Sequence, residues 1–216
     1  MGSSSSKKAS SAAKRASRAD NSKASLPAKA SSHGHQPVHH AAEPPVAAPA
    51  SKSAGGKVVE PFLQGNQWII ENVENGSSSV DVPKRMQAVA LYACKNSEIH
   101  VNGKCASVQI AGVNKSTIYV ENVVGSVEIS NCKSVKIFVS GLVPCFTIDK
   151  CDGVLITLSQ ECVENPDFMI VAANSSEMNC AFEFHGEMRE LPIPEQFVHK
   201  LDGDQVDTQV SSLYSA

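Results

Sequence analysis

The sequence contains no apolar run approaching the ~18 residues that a membrane-spanning helix requires. It is also poor in aromatic residues, with one Trp, three Tyr and seven Phe among 216 residues. A folded core here must therefore be built mainly from aliphatic side chains. The sequence lacks the nucleophile elbow GxSxG, the zinc motif HExxH and the phosphate loop GxxxxGK[ST]. No nucleophile and base can be paired, so the chain is expected to be a non-enzyme without a metal or cofactor. There is no CxxC pair either. The seven cysteines, Cys94, Cys105, Cys132, Cys145, Cys151, Cys162 and Cys180, are odd in number. Without a secretory leader they point to a reducing, cytoplasmic setting.

The net charge of -3 hides two dissimilar parts. Residues 1–57 hold nine Lys/Arg against Asp20 and Glu43, a net of +7, whereas the remainder holds ten against twenty acids, a net of -10. An acidic body argues against nucleic acid, since phosphate binding needs cations on the fold itself. The basic part is Ser-, Ala- and Pro-rich with a single Leu. It cannot bury enough apolar surface to offset chain entropy, and it is expected to be a disordered tail. Met1-Gly2-Ser3-Ser4-Ser5-Ser6 fits the N-myristoylation pattern, making Gly2 a candidate lipidation site. Lys7, Lys8, Lys14, Arg15 and Arg18 would supply the second signal that an acyl chain needs to hold an anionic membrane surface. His33, His35, His39 and His40 have no Cys or carboxylate at ligand spacing and read as a solvated linker.

From residue 58 onward the chain reads as one domain organised by a repeat. Between Val80 and Leu158 apolar residues recur every 19 positions: Val80, Ile99, Ile118, Ile137 and Ile156 in one column, with Val82, Val101, Val120, Val139 and Leu158 in the next. A second pair of columns holds Val89, Val108, Val127 and Phe146, then Leu91, Ile110, Ile129 and Ile148. Each column lies two residues from its partner, which is strand alternation. Two short strands per fixed period mean stacked coils, none able to bury its apolar face alone. The fold is an all-β parallel β-helix. Phe62 to Ile70 reads as a first hairpin with Trp68 capping the stack. After Leu158 the register slips by three, so that Phe168 and Ile170 lie 22 residues beyond Phe146 and Ile148, and one further coil follows.

Two outer columns invite chemistry. His100, Tyr119, Phe138 and Thr157 align on a solvent face, as either a protein-binding patch or a stiffening stack. Cys94, Cys132 and Cys151 share a corner column with Val113, which favours small apolar fillers over a redox ladder. At the end, Leu191-Pro192-Ile193-Pro194 is an extended arm. Phe197 to Leu201 and Val206 to Val210 form a hairpin about Asp202-Gly203. Such a hairpin must pack on its own coils or pair with a second chain.

Several motifs, in order over about 150 residues, carry a resemblance: Trp68-Ile69-Ile70-Glu71-Asn72, Val123-Val124-Gly125-Ser126-Val127-Glu128-Ile129, Asp149-Lys150-Cys151-Asp152-Gly153, Ser175-Ser176-Glu177-Met178-Asn179 and Pro194-Glu195-Gln196-Phe197. From Gly65 to Val210 the chain resembles the C-terminal domain of the cyclase-associated proteins, the actin-monomer regulators. The resemblance implies a right-handed β-helix over 58–216 and a homodimer made by exchange of the hairpin 196–212. It also implies binding of ADP-bound monomeric actin with promotion of its nucleotide exchange, a cytoskeletal location, and adenylyl cyclase as a further partner. Candidate actin-binding residues are Ser175, Ser176, Glu177, Met178, Asn179, Pro194, Glu195 and Gln196; dimer residues are Phe197, Val198, Leu201, Val206 and Val210. The family's helical N-terminal domain and its WH2 motif have no counterpart in residues 1–57. The fold is similar also to tubulin-folding cofactor C and its relatives, which activate small GTPases with an arginine finger. That position here is Thr147, with Cys145 in place of the preceding Gln, and threonine cannot deliver the fixed charge a transferred phosphoryl group needs. A membrane-tethered scaffold built on Gly2 and the basic tail is a third reading.

Overall fold

A computed structural model gives the structure of the chain and describes residues 58–212. Gly2, the basic tail and the histidine-rich linker lie outside the described residues. Two parallel sheets face each other. The first runs β1 (Phe62–Gln64), β2 (Gln67–Glu71), β4 (Ala88–Tyr92), β6 (Val108–Ala111), β8 (Ser126–Ser130), β10 (Cys145–Asp149) and β12 (Met169–Ala173). The second runs β3 (Ser77–Val82), β5 (Glu98–Cys105), β7 (Thr117–Val123), β9 (Lys133–Val139), β11 (Asp152–Thr157), β13 (Ser176–Phe184) and β14 (Glu187–Pro192). Each coil gives one strand to each sheet. Only β1–β2 and β13–β14 pair antiparallel within them. The hairpin β15 (Phe197–Asp202) and β16 (Gln205–Val210) pairs with neither sheet.

The repeat is confirmed through its middle. Ile99 sits opposite Ile118, Ile118 opposite Ile137, and Ile137 opposite Ile156, and all four are fully buried. Val89, Val108, Val127 and Phe146 align likewise in the other sheet. Truncating one such side chain, for example Ile118→Ala, should cost about 2–5 kcal/mol through lost transfer energy and a cavity.

The period fails at both ends. Val80 lies opposite Val101, not Ile99, because the link 83–87 is two residues longer than in later coils and the first offset is 21. Ser78 therefore occupies the column of Ile99. It is buried, and its hydroxyl is satisfied by donating to the Val59 carbonyl at 2.6 Å. The last coil is offset by 24, not 22: Phe146 pairs with Ile170, and Val154 with Met178. The extra length holds the five-residue helix α1 (Gln160–Glu164), capped by Ser159, whose hydroxyl accepts from the Cys162 amide at 3.2 Å. Both errors are slips of two residues, which keep every apolar side chain on the correct face and so leave no trace in the hydrophobic pattern.

The corner between the two sheets is built from left-handed residues. In one position of each coil stand Asn72, Ala93, Gly112, Asn131, Lys150 and Asn174, and three residues later Asn75, Asn96, Lys115, Ser134, Gly153 and Glu177, all with φ between 48° and 75°. Between the two turning points one side chain points inward: Val73, Cys94, Val113, Cys132 and Cys151 in successive coils, each at most 3 % exposed. Non-glycine residues pay about 1–2 kcal/mol for the left-handed conformation, less for Asn. Ala93 (φ 52°) has no side chain that could compensate. Ala93→Gly is expected to stabilise the fold by about 0.5–1 kcal/mol, raising the midpoint of thermal unfolding by a few degrees. An unchanged or lowered midpoint would contradict this reading of the corner.

Candidate functional site at the last coil

The corner Ser175–Asn179 turns the last coil from β12 into β13. Ser175 takes the place of the corner cysteines: its hydroxyl donates to the Ala173 carbonyl at 2.7 Å and accepts from the Cys151 amide at 3.0 Å. Glu177 is held at φ 53°, and its amide donates to the Glu195 carboxylate at 3.2 Å. Ile193 donates to the Met178 carbonyl at 2.8 Å, and Asn179 donates to Glu190 at 2.6 Å. The two candidate segments, 175–179 and 194–196, are thereby brought together around a small cleft of 50 Å³ lined by Asn174, Ser175, Met178, Pro194, Glu195 and Phe197. Met178 is 4 % exposed and belongs to the core, so it shapes this corner without offering its own side chain.

Strand β14 was not legible in the sequence. Leu191 and Pro192 pair with Cys180 and Asn179, so the proline arm begins only at Ile193. The hairpin turn is Gly203-Asp204, with Gly203 at φ 62°, one residue beyond the expected Asp202-Gly203. Asp202 instead closes the ladder opposite Gln205.

The hairpin is amphipathic. Phe197, His199 and Leu201 stand opposite Val210, Thr208 and Val206 on one face. Val198, Lys200 and Asp202 stand opposite Gln209, Asp207 and Gln205 on the other. At the centre of the apolar face, His199 and Thr208 share a hydrogen bond of 3.0 Å. Leu201 is 83 % exposed and Val206 62 %. The inner faces of β13 and β14 form an apolar cleft of 240 Å³ lined by Phe182, Phe184, Arg189 and Leu191. It lies past the last full coil, and β12 and β14 carry no strand on their outer edges.

Thr147 faces out of the first sheet in a row with Gln109, Glu128 and Val171. The row holds no cation, which argues against an arginine-finger role for this face. The outer column of the second sheet is a true ring stack: His100 and Tyr119 lie 4.5 Å apart at 7°, Tyr119 and Phe138 5.3 Å apart at 17°. Among the described residues no three His, Cys, Asp or Glu side chains are grouped to hold a metal ion.

The cysteines behave as fillers. Burial raises the Cys94 thiol and pushes Cys105 up to about 11. Cys132 is raised by its contact with the Cys151 thiol and by burial, and the same contact lowers Cys151. Cys132 and Cys151 donate to the carbonyls of Ser130 and Asp149, two residues upstream of each. Cys94 does the same to Tyr92.

Residues 58–213 match the family model described as adenylate cyclase associated (CAP) C terminal. The chain belongs to the cyclase-associated protein family. An adenylyl cyclase-associated protein of Hydra viridissima is 33% identical over 156 residues, covering 71% of this chain and 31% of that protein. Human adenylyl cyclase-associated protein 2 is 34% identical over 152 residues, 70% of this chain and 31% of its own length. The crystal structure of the cyclase-associated protein from Cryptosporidium parvum superimposes with a TM-score of 0.66 at 30% identity, covering 74% of this chain and 97% of that one. The chain thus spans about a third of the length of the curated cyclase-associated proteins it matches.

A thiol reagent at neutral pH should label Cys145 first and Cys180 more slowly, since burial holds the Cys180 thiol up at about 11. The five buried thiols should react only after unfolding. Rapid labelling of Cys132 or Cys151 in the folded chain would overturn the filler assignment.

Proposed function

We propose that this chain binds monomeric ADP-actin and promotes exchange of its nucleotide, acting as a dimer whose protomers exchange their C-terminal hairpins. Membership of the cyclase-associated family supports the actin reading. The observation that supports the dimer is the presence on one chain of two uncovered apolar surfaces. A two-stranded hairpin is marginal on its own in water, and this one leaves Phe197, Leu201, Val206 and Val210 at 43 % exposure or more. The cleft of Phe182, Phe184 and Leu191, with the free edges of β12 and β14, offers apolar area and strand partners of the kind the hairpin lacks. Full burial of each such side chain contributes about 1.5–3 kcal/mol.

The mechanism is differential binding. A dimer that holds actin with a looser nucleotide cleft shifts the relative affinity for ADP and ATP, with no bond made or broken by this chain. The rigid corner at Ser175, Ser176, Glu177 and Asn179, braced by Glu195, is the surface assigned to actin. Association with adenylyl cyclase, carried in the relatives' names, is proposed of this chain only through the part it shares with them.

Two measurements test this. Release of a fluorescent nucleotide from ADP-actin should accelerate at micromolar chain; neither acceleration nor binding at that concentration would refute the actin reading. Separately, Leu201→Asp with Val206→Asp should give a monomer by light scattering while the circular dichroism of the coil is kept. A dimer that survives the double change would refute hairpin exchange.

A further inference from the structure

The ring stack on the second sheet ends at a vacant place. Ser79, His100, Tyr119 and Phe138 lie in register on four neighbouring strands. The three rings are nearly parallel, so His100 turns its outer face toward the rung of Ser79. Position 79 is an exposed serine, so no ring stands at that level, one strand spacing of about 4.8 Å from His100, and only the Asn102 amide reaches its edge. Two carboxylates lie on either side of this row: Asp81, two residues along from Ser79 on the same strand, and Glu98, beside His100 on the next strand and opposite Ser77. Among the described residues the Glu98 carboxylate bonds only His100 Nε2, at 2.9 Å through Oε1. On the other side, Asn102 spans the two rungs, donating to Ser79 Oγ at 3.2 Å and to Asp81 Oδ1 at 2.8 Å. Among the described residues each carboxylate keeps its second oxygen free of hydrogen bonds, and neither is paired with a lysine or arginine. Lys136 stands two rungs from Glu98, beyond Thr117. The Glu98 charge is also felt at Tyr119, whose hydroxyl is raised first by burial and then by that carboxylate.

We propose that this place is a docking slot for an arginine side chain presented by a partner protein, its guanidinium stacked on His100 above Ser79 and bonded to Glu98 and Asp81. Three features select arginine. The slot is flat and one ring thick, which fits a planar group and not a tetrahedral ammonium. Its floor is an aromatic face, on which guanidinium stacks. Its walls are two carboxylates separated along the strand direction, matched by the N–H donors that a guanidinium projects to both sides. A neutral ring would fit the floor but would leave both carboxylates unanswered. A lysine would answer one carboxylate and leave the ring face unused. The slot lies on the second sheet at the first coils, opposite in the chain from the corner assigned to actin, and its occupancy does not depend on that assignment.

The test uses the full chain and a defined probe. Backbone amide shifts are followed by nuclear magnetic resonance during titration with N-acetyl-arginine amide, and separately with N-acetyl-lysine amide. Saturable shifts at Ser79, Asp81, Glu98 and His100 are expected, with the lysine compound at least about three-fold weaker. Ser79→Phe fills the slot with a fourth ring and should abolish the arginine shifts while leaving the stack intact. His100→Phe keeps a ring floor and should keep the response. Equal responses to the two compounds, shifts scattered over other faces, or a response that persists in Ser79→Phe would each overturn the proposal.

Discussion

Every coil of this chain depends on one backbone manoeuvre: reversing direction at the corner in four residues while one side chain still points inward. Two left-handed residues at fixed spacing achieve it. Once they are set, each strand lands directly over its predecessor and the amides pair along the coil. Lys95 donates to the Val73 carbonyl at 2.8 Å, Asn114 to Cys94 at 2.8 Å, and Lys133 to Val113 at 3.0 Å. The corner also explains residue choices that otherwise look arbitrary. Asn recurs because it tolerates the conformation, and Cys or Val recurs between because only a small apolar side chain fits the angle. Ser97 and Ser116, buried beside it, satisfy one another across coils at 3.0 Å.

The two ends of the stack are treated differently. At the start, β1 folds back on β2, and Trp68 lies partly buried over the core with its indole nitrogen donating to Gln87 at 3.3 Å. Val59 closes the other sheet through Ser77 and Ser78. That end is covered by its own chain. At the other end β14 extends one sheet but nothing extends the other, and the hairpin that could cover the gap stands apart. A solenoid needs both ends closed, and among the described residues no strand covers this end on the β12 side.

Much of this could be read from the residues. The middle coils, the ring stack and the inward cysteines follow from a period of 19 and an alternation of two, and the terminal hairpin from a glycine turn between two apolar runs. What escaped has a common cause. The offsets of 21 and 24 preserve the alternation, so hydrophobicity alone cannot distinguish them from 19 and 22. Strand β14 is exposed along its whole length, and an edge strand without a buried face has no pattern to show. The helix α1 is a five-residue insertion whose one buried side chain is Cys162. The assembled corner of 175–179 with 194–196 was anticipated as two segments, but the bond from Glu177 to Glu195 that joins them is a tertiary contact across 18 residues.

The bulge between β5 and β7 has a mechanical meaning. Throughout the coil the strand hydrogen bonds run along the stacking direction. Tension applied between the first coil and the last therefore loads the rungs in series, and the assembly is as strong as its poorest rung. Between Val101 and Lys104 the pairing of β5 with β7 shifts, breaking an otherwise continuous ladder. The bulge does not cost pairing, however: β5 keeps six paired positions with β7, two of them beyond the shift, so the load is carried past the irregularity instead of parting there. The ring stack of His100 on Tyr119 braces the same joint from outside.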